Sequence, residues 1–296
     1  MTGGSIAAQP LARERRSSRS RRSLELILDG FFRPGHWAAA LSYRAGLQGT
    51  LRRVETTVAV AARPVAAPPL RIAFASDFHA GPTTDPAHLR EACHALAEFA
   101  PDVLLLGGDF VSVRAAYIKQ VAPLLAAVRA PLGKFAVLGN HDLRANHVLV
   151  VSALERAGVE MITNRRVVLP APHADINVCG LDDPIYGRPD ATRSLDHASG
   201  TRIVLMHSPE VLHEIGDRHF DIALCGHTHG GQIAWPNGTP VLVPGGELNR
   251  RYASGLFNVG GRRLLVSRGV GCSTLPVRLF AHPEVHLVVV GGDAAT

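Results

Sequence analysis

Arg71-Ile-Ala-Phe-Ala-Ser-Asp-Phe-His79 carries a short apolar run straight into a carboxylate and an imidazole. A bounded apolar run of this length reads as a buried strand, which puts Asp77 and His79 at its carboxyl end. The pattern recurs twice. Residues 102–106 (DVLLL) lead into Gly107-Gly108-Asp109, and residues 134–138 (KFAVL) lead into Gly139-Asn140-His141-Asp142. Helical stretches over 86–99, 115–128 and 145–157 separate these runs. Strand and helix alternating at this spacing predict parallel strands with crossover helices. In such a sheet, ligands gather beyond the carboxyl ends of the strands, so the three polar tails should converge.

The C-terminal half has shorter strand candidates and fewer helices, at 167–169, 176–179, 202–206, 222–225, 241–243, 252–258, 263–267 and 285–290. It predicts a second, mixed sheet packed face to face with the first. Two of these runs also end in histidine: RIVLM reaches His207, and IALC reaches Gly226-His227-Thr228-His229.

Carboxylates, imidazoles and an amide oxygen are ligands for divalent first-row metals. Asp77 and His79 are two apart, so on an extended strand they face one side and could share an ion. Asp109 has two carboxylate oxygens and could bridge two ions about 3.5 to 4 Å apart. Asn140, His207, His227 and His229 would complete a pair of sites. Each fragment has an ordinary reading alone: a chance Asp-x-His, a Gly-Asp turn, a helix N-cap at Gly-Asn-His-Asp, a satisfied core histidine at 207, an accidental His-x-His at 227 and 229. Five such coincidences, all at strand ends, point instead to one site.

The ordered set Asp77-x-His79, Gly108-Asp109, Gly139-Asn140-His141-Asp142, His207 and Gly226-His227-x-His229 resembles the calcineurin-like metallophosphoesterase family. The longer segments SDFHAGP, LLLGGDFV, KFAVLGNHD, CGLDDP, LMHSPE, LCGHTHGGQ and VSRGVG resemble its bacterial YkuE/YaeI-type phosphodiesterase branch. Covering about residues 71–290, the resemblance implies an α/β fold, a four-layer αββα sandwich of two mixed β-sheets flanked by helices. It implies two divalent metal ions (Mn, Fe or Zn), one held by Asp77, His79, Asp109 and His229, the other by Asp109, Asn140, His207 and His227. A hydroxide between the ions would attack phosphorus, and His141 would protonate the leaving oxygen. Dividing His227 from His229 requires a turn at Thr228. In the family's protein-phosphatase branch a second Asp follows the Gly-Asp motif by three residues, but here that position is Ser112. His141 must therefore be oriented from elsewhere, Asp142 being one candidate. Arg268, with Arg250 and Arg251, is a candidate contact for substrate phosphate.

With 296 residues and 46% apolar content, the chain can bury a sizeable core. Its net charge of +6 is unevenly spread: residues 1–70 hold eleven arginines against four acidic residues, which leaves the remainder at −1. The body thus has no cationic track for a nucleic acid, which argues against a nuclease. Cys93, Cys179, Cys225 and Cys272 stand singly, without zinc-site or disulfide spacing, and read as buried hydrophobes in a reducing cytoplasm. No run of about eighteen uninterrupted apolar residues suggests a spanning helix.

Three regions are expected: a disordered basic arm over 1–23, an amphipathic helical segment and linker over 24–70, and a metallophosphoesterase domain over 71–296. The helical rhythm is read over 37–54 and the proline-containing linker over 61–70. Ser20-Arg-Arg-Ser-Leu24 resembles the start of a twin-arginine export signal, but the segment after it carries too many charges for one. A basic amphipathic segment suits peripheral contact with an anionic inner membrane face. The expected activity is hydrolysis of a phosphodiester or pyrophosphate on a lipid-linked or nucleotide substrate such as UDP-diacylglucosamine, which some relatives of this branch cleave. A non-catalytic metal-binding scaffold is the alternative, although none of the inferred ligands is replaced by a non-ligating residue.

Overall fold

The computed structural model describes residues 11–60, 63 and 66–292, with side chains from Arg22 onward. Its strands are β1 (Arg52–Val60), β2 (Leu70–Ala75), β3 (Val103–Leu106), β4 (Lys134–Ala136), β5 (Glu160–Met161), β6 (Arg165–Val168), β7 (Ile176–Gly180), β8 (Thr201–Leu205), β9 (Ile222–Cys225), β10 (Gly255–Val259), β11 (Arg262–Val266) and β12 (Glu284–Gly292). The helices are α1 (Leu11–Phe32), α2 (Trp37–Arg44), α3 (Pro86–Glu98), α4 (Ala122–Ala127), α5 (Asn140–Arg144), α6 (His147–Arg156), α7 (Ala191–Leu195), α8 (Leu212–Ile215) and α9 (Glu247–Arg251).

Two six-stranded mixed sheets result, in the orders β1-β12-β2-β3-β4-β5 and β10-β11-β9-β8-β7-β6. Side-chain alternation along each strand sorts residues between faces. From the first sheet, Leu70, Ile72, Phe74, Val103 and Leu105 meet Ile176, Val178, Ile203, Leu205, Ile222 and Leu224 of the second in a common core. The intervening Ala73, Ala75, Leu104 and Leu106 face outward, against α3, α4 and α6. Cys179, Val204, Ala223, Cys225 and Val266 face the opposite way, against α7 and α8. The four-layer αββα sandwich is therefore written in a period of two. Helix starts are equally local: Asp85 caps α3 by accepting from the Ala87 amide at 2.7 Å, with Pro86 at the first helical position.

Several expectations change. The helical rhythm read over 37–54 stops at Arg44, and β1 joins the first sheet through a nine-residue parallel register with β12. Val54, Thr56, Val58 and Val60 alternate with Arg53, Glu55, Thr57 and Ala59, a β-branched period-two signal. Val58 and Val60 enter the common core, so the sheet begins ahead of residue 71. Residues 11–32, expected in part as a disordered arm, form α1, while 1–10 lie outside the described residues. Residues 241–243 form no strand: Pro240 and Pro244 bracket them, and a proline has no N–H to give a ladder. The helix expected over 115–128 is interrupted at Val121, just before Pro123, into a 3₁₀ turn (Ala115–Gln120) and α4.

Candidate metal centre

Strands β2, β3, β4, β8 and β9 deliver the expected residues to one place. The backbone does so by turning left-handed rather than staying extended: Asp77 (φ 55°), His79 (φ 42°), Asp109 (φ 54°), His227 (φ 72°) and His229 (φ 54°) all have positive φ. Such conformations cost a non-glycine residue of order 1–3 kcal/mol and persist only where neighbours enforce them. Here the loops interlock. The Asp77 amide donates to the Gly108 carbonyl at 2.8 Å and the His79 amide to the Asp109 carbonyl at 3.0 Å. The Asp77 carboxylate in turn accepts from the His227 amide at 3.1 Å, and Asp109 Oδ1 accepts from the His141 amide at 2.7 Å. Asp77 and His79 thus share a face through a turn, contrary to the extended strand expected. A Cβ at Gly226 would overlap Asp77 Oδ2 and Ser76 Oγ, so the close approach of these loops requires glycine there.

The side chains fall into two clusters that meet at one oxygen. In the first, His79 Nε2 lies 3.0 Å from His229 Nε2, and Asp77 Oδ1 lies 3.5 Å from the latter. In the second, His207 Nε2 lies 3.1 Å from both Asn140 Oδ1 and His227 Nδ1. Asp109 Oδ2 stands between them, 3.5 Å from His79 Nε2 and 3.4 Å from His207 Nε2. Thr228 is in a right-handed turn (φ −79°, ψ −22°), which sends His227 and His229 to different clusters. His207 donates Nδ1–H to the Gly107 carbonyl at 2.8 Å and so presents Nε2 to the cluster. Lone pairs of nitrogen and oxygen therefore converge with few protons between them, an arrangement that suits a cation. The N/O donor set matches first-row divalent metals.

The charges behave accordingly. Burial disfavours a charged His207, but Asp109, Asp77 and Asp183 outweigh it and raise the imidazole to about 10. Burial alone would raise Asp109, yet His207, His141 and His79 hold it well below the usual carboxylate range. Burial pushes Asp77 up to about 6 and lowers His79 to about 4. It also takes His141 and His229 well below the ordinary imidazole value.

His141 is oriented by a group the sequence did not suggest: its Nδ1 donates to the main-chain carbonyl of Ser112 at 2.5 Å. Asp142 instead accepts from the amides of Gly139 (3.1 Å) and Val111 (3.2 Å), tying two of the site's loops together. Two further residues were missed. Arg278 is buried, lies with Nη2 3.1 Å from His229 Nδ1 and donates to the carbonyls of Arg268, Gly271 and Ala281, clamping the loop that follows β11. Its signal was a lone arginine in the otherwise apolar stretch Pro276-Val-Arg-Leu-Phe280. Asp183, the second aspartate of CGLDDP, is buried close enough to His207 to raise it. Arg268 packs its stem against Gly230 but turns its guanidinium to Glu284 at 3.2 Å. Arg250 and Arg251 lie on α9.

Comparison with known proteins accords with this geometry. The family model for the calcineurin-like phosphoesterase superfamily domain matches residues 70–257, more than half of the chain. The chain belongs to that family. It is 33% identical over 234 residues to the phosphodiesterase YaeI of Escherichia coli (strain K12), covering 75% of this chain and 82% of that protein. It is 31% identical over 216 residues to the uncharacterized metallophosphoesterase YkuE of Bacillus subtilis (strain 168), covering 71% of this chain and 75% of that one. It is also 27% identical over 273 residues to the UDP-2,3-diacylglucosamine pyrophosphatase LpxG of Chlamydia trachomatis, with 74% and 83% covered. The calcineurin-like phosphoesterases are metal-dependent hydrolases of phosphoric esters, and so is this chain. Asp77, His79 and His229 form one group able to hold a metal ion, and Asp109, His207 and His227 form another. No helix among the described residues is long and apolar enough to cross a membrane.

Proposed function

We propose that this calcineurin-like phosphoesterase is a dinuclear phosphodiesterase or pyrophosphatase acting on a lipid-linked or nucleotide substrate. The observation that carries the reading is the position of Asp109 Oδ2, within 3.5 Å of a histidine from each cluster. Asp77, His79, Asp109 and His229 would hold one ion; Asp109, Asn140, His207 and His227 would hold the other. Two divalent ions, whether Mn, Fe or Zn, supply Lewis acidity toward the phosphoryl oxygens and make water acidic enough to react near neutral pH.

The chain's own residues do the rest. Asp77 and Asp109 fix the loops by accepting main-chain amides, so the acceptors are preorganised before substrate arrives. With Nδ1 committed to Ser112, His141 has Nε2 to offer the leaving oxygen. Burial disfavours the charged imidazole, and an anionic phosphoryl group beside it would offset that, so Nε2 would take a proton from solvent as substrate binds and pass it to the leaving oxygen. A substrate phosphate would have to draw Arg268 away from Glu284 to engage it.

The apolar surface supports a lipid-borne substrate. Trp235 and Leu242 are exposed on the segment continuing from the His229 turn, and Phe280 is exposed on the segment bridged to it through Ile233 and Leu279. On the N-terminal helices Ile27, Phe31, Trp37 and Leu41 are exposed, a surface fitted to peripheral contact with an anionic membrane. The relative LpxG is named for UDP-2,3-diacylglucosamine, which makes that pyrophosphate the first substrate to try. The experiment is metal analysis of the purified protein, followed by turnover of bis-p-nitrophenyl phosphate and release of UMP from UDP-diacylglucosamine. Two metals per chain and turnover abolished by Asp109→Asn are expected. Turnover that survives both Asp109→Asn and His141→Ala would sink the assignment, and metal without turnover would favour a scaffold.

A further inference from the structure

Helix α1 reaches the catalytic histidine's surroundings with two buried carboxylates. Glu25 and Asp29 are four residues apart, on one face of the helix, and are only 5% and 2% exposed. Glu25 Oε2 meets Arg144 Nη1 at 3.0 Å, and Arg22 donates to the Arg144 carbonyl at 3.1 Å. Asp29 accepts from Tyr117 Oη at 2.7 Å and from Arg114 Nε at 2.6 Å. These partners belong to the two pieces of chain that hold His141. Arg144 closes α5, which carries His141 itself, and Arg114 and Tyr117 follow Ser112, whose carbonyl accepts the hydrogen bond from His141 Nδ1. A cavity of about 10 Å³ beside His141 is lined by Glu25, Leu28 and Asp29 on one side and by Thr83 and Ser112 on the other.

We infer that Glu25 and Asp29 are positioning residues for His141. They tie α5 and the segment after Ser112 to the same helix, which fixes both ends of the Ser112–His141 hydrogen bond. An amide at 25 takes the charge from the Arg144 ion pair, and an amide at 29 leaves one oxygen for Tyr117 and Arg114 to share, so these partners shift to find other acceptors. The imidazole then loses its aim while the metal-ligating side chains, held by other loops, keep theirs. The inference rests on the proton-delivering role given to His141 above. It makes α1 part of the active site, although it lies ahead of the residues that the family model matches.

Proton delivery matters more as the leaving group becomes more basic, which gives a readout that general damage does not imitate. Asp29→Asn and Glu25→Gln, made in the full chain, are to be compared with wild type and His141→Ala on diphenyl phosphate and bis(2,4-dinitrophenyl) phosphate. The two variants are expected to lose about tenfold or more on the phenyl ester, with rates near wild type on the dinitrophenyl ester and unchanged metal content. The downfield Nδ1 proton resonance of His141 should broaden or vanish in both. Equal loss on both esters, no loss, or loss accompanied by loss of metal overturns the inference. If His141→Ala is itself unselective, the role of His141 fails and takes the inference with it; if it alone is selective, only the part given to α1 falls. Should Asp29→Asn not fold, Tyr117→Phe removes the same hydrogen bond with little change in packing and must show the same selectivity.

Discussion

His141 leans on Ser112 through the backbone, its Nδ1 donating to the main-chain carbonyl at 2.5 Å. The acceptor is therefore independent of the side chain at position 112. Replacing the imidazole is another matter. His141→Ala is expected to lower kcat by about 10²- to 10⁴-fold on esters with basic leaving groups while leaving metal content unchanged. Steady-state kinetics with metal analysis on the same preparation check this, and a parallel loss of metal would contradict it.

Asp109 serves both clusters, whereas Asp77 and Asn140 each serve one. Asp109→Asn is expected to reduce metal binding at both sites, and Asp77→Asn or Asn140→Ala to reduce it at one. Elemental analysis after dialysis against a fixed free-metal concentration separates these outcomes. Full retention of two metals by Asp109→Asn would remove the bridge.

Metal binding should expel protons. With only the protein's charges acting, His207 titrates at about 10, so at pH 7 it carries a proton that a divalent ion must displace. Apparent affinity is expected to rise with pH through the neutral range by about tenfold per unit for each proton released. Below about pH 6, Asp77 also takes up a proton, so the fall with acidity steepens there. Calorimetric titration in buffers of different ionisation enthalpy counts the protons, and a count of zero at pH 7 would be incompatible with this site.

Gly226 is where the β9 loop presses on the β2 loop. Gly226→Ala forces a methyl group into Asp77 and Ser76, and overpacking of this kind costs typically 1–3 kcal/mol. Thermal denaturation with and without metal checks the effect. A larger shift is expected in the metal-loaded protein, because the displaced group, Asp77, belongs to a cluster.

The core strands were legible because each is an isolated apolar run ending in a polar tail, and those tails named the residues of both clusters. The four layers follow from the same runs: Ile72 and Phe74 go one way, Ala73 and Ala75 the other. What escaped was either non-local or not carried by side chains. The Ser112 carbonyl has no sequence signature, since every residue has one. Arg278 is significant only once the chain folds it under His229. The exception is β1, whose β-branched alternation is local but was masked by the loosely helical rhythm of its apolar residues. The left-handed turns at Asp77 and His79 could not be read because neither residue is a glycine, and the interlocked amides that enforce them come from distant loops.

The pairing of β1 with β12 also has a consequence for the order in which the protein can be made. Among the described residues β12 lies between β1 and β2, so β1 has no lasting partner in its sheet until residues 284–292 have been synthesised. On the ribosome, residues 52–60 must wait while more than two hundred residues emerge, their backbone groups unpaired in the meantime. The exposed face of Arg53, Glu55 and Thr57 is charged and polar, the kind of side chain that disfavours edge-to-edge pairing. Closure of the first sheet is thus a late event, completed when β12 slides between two strands that were made long before it.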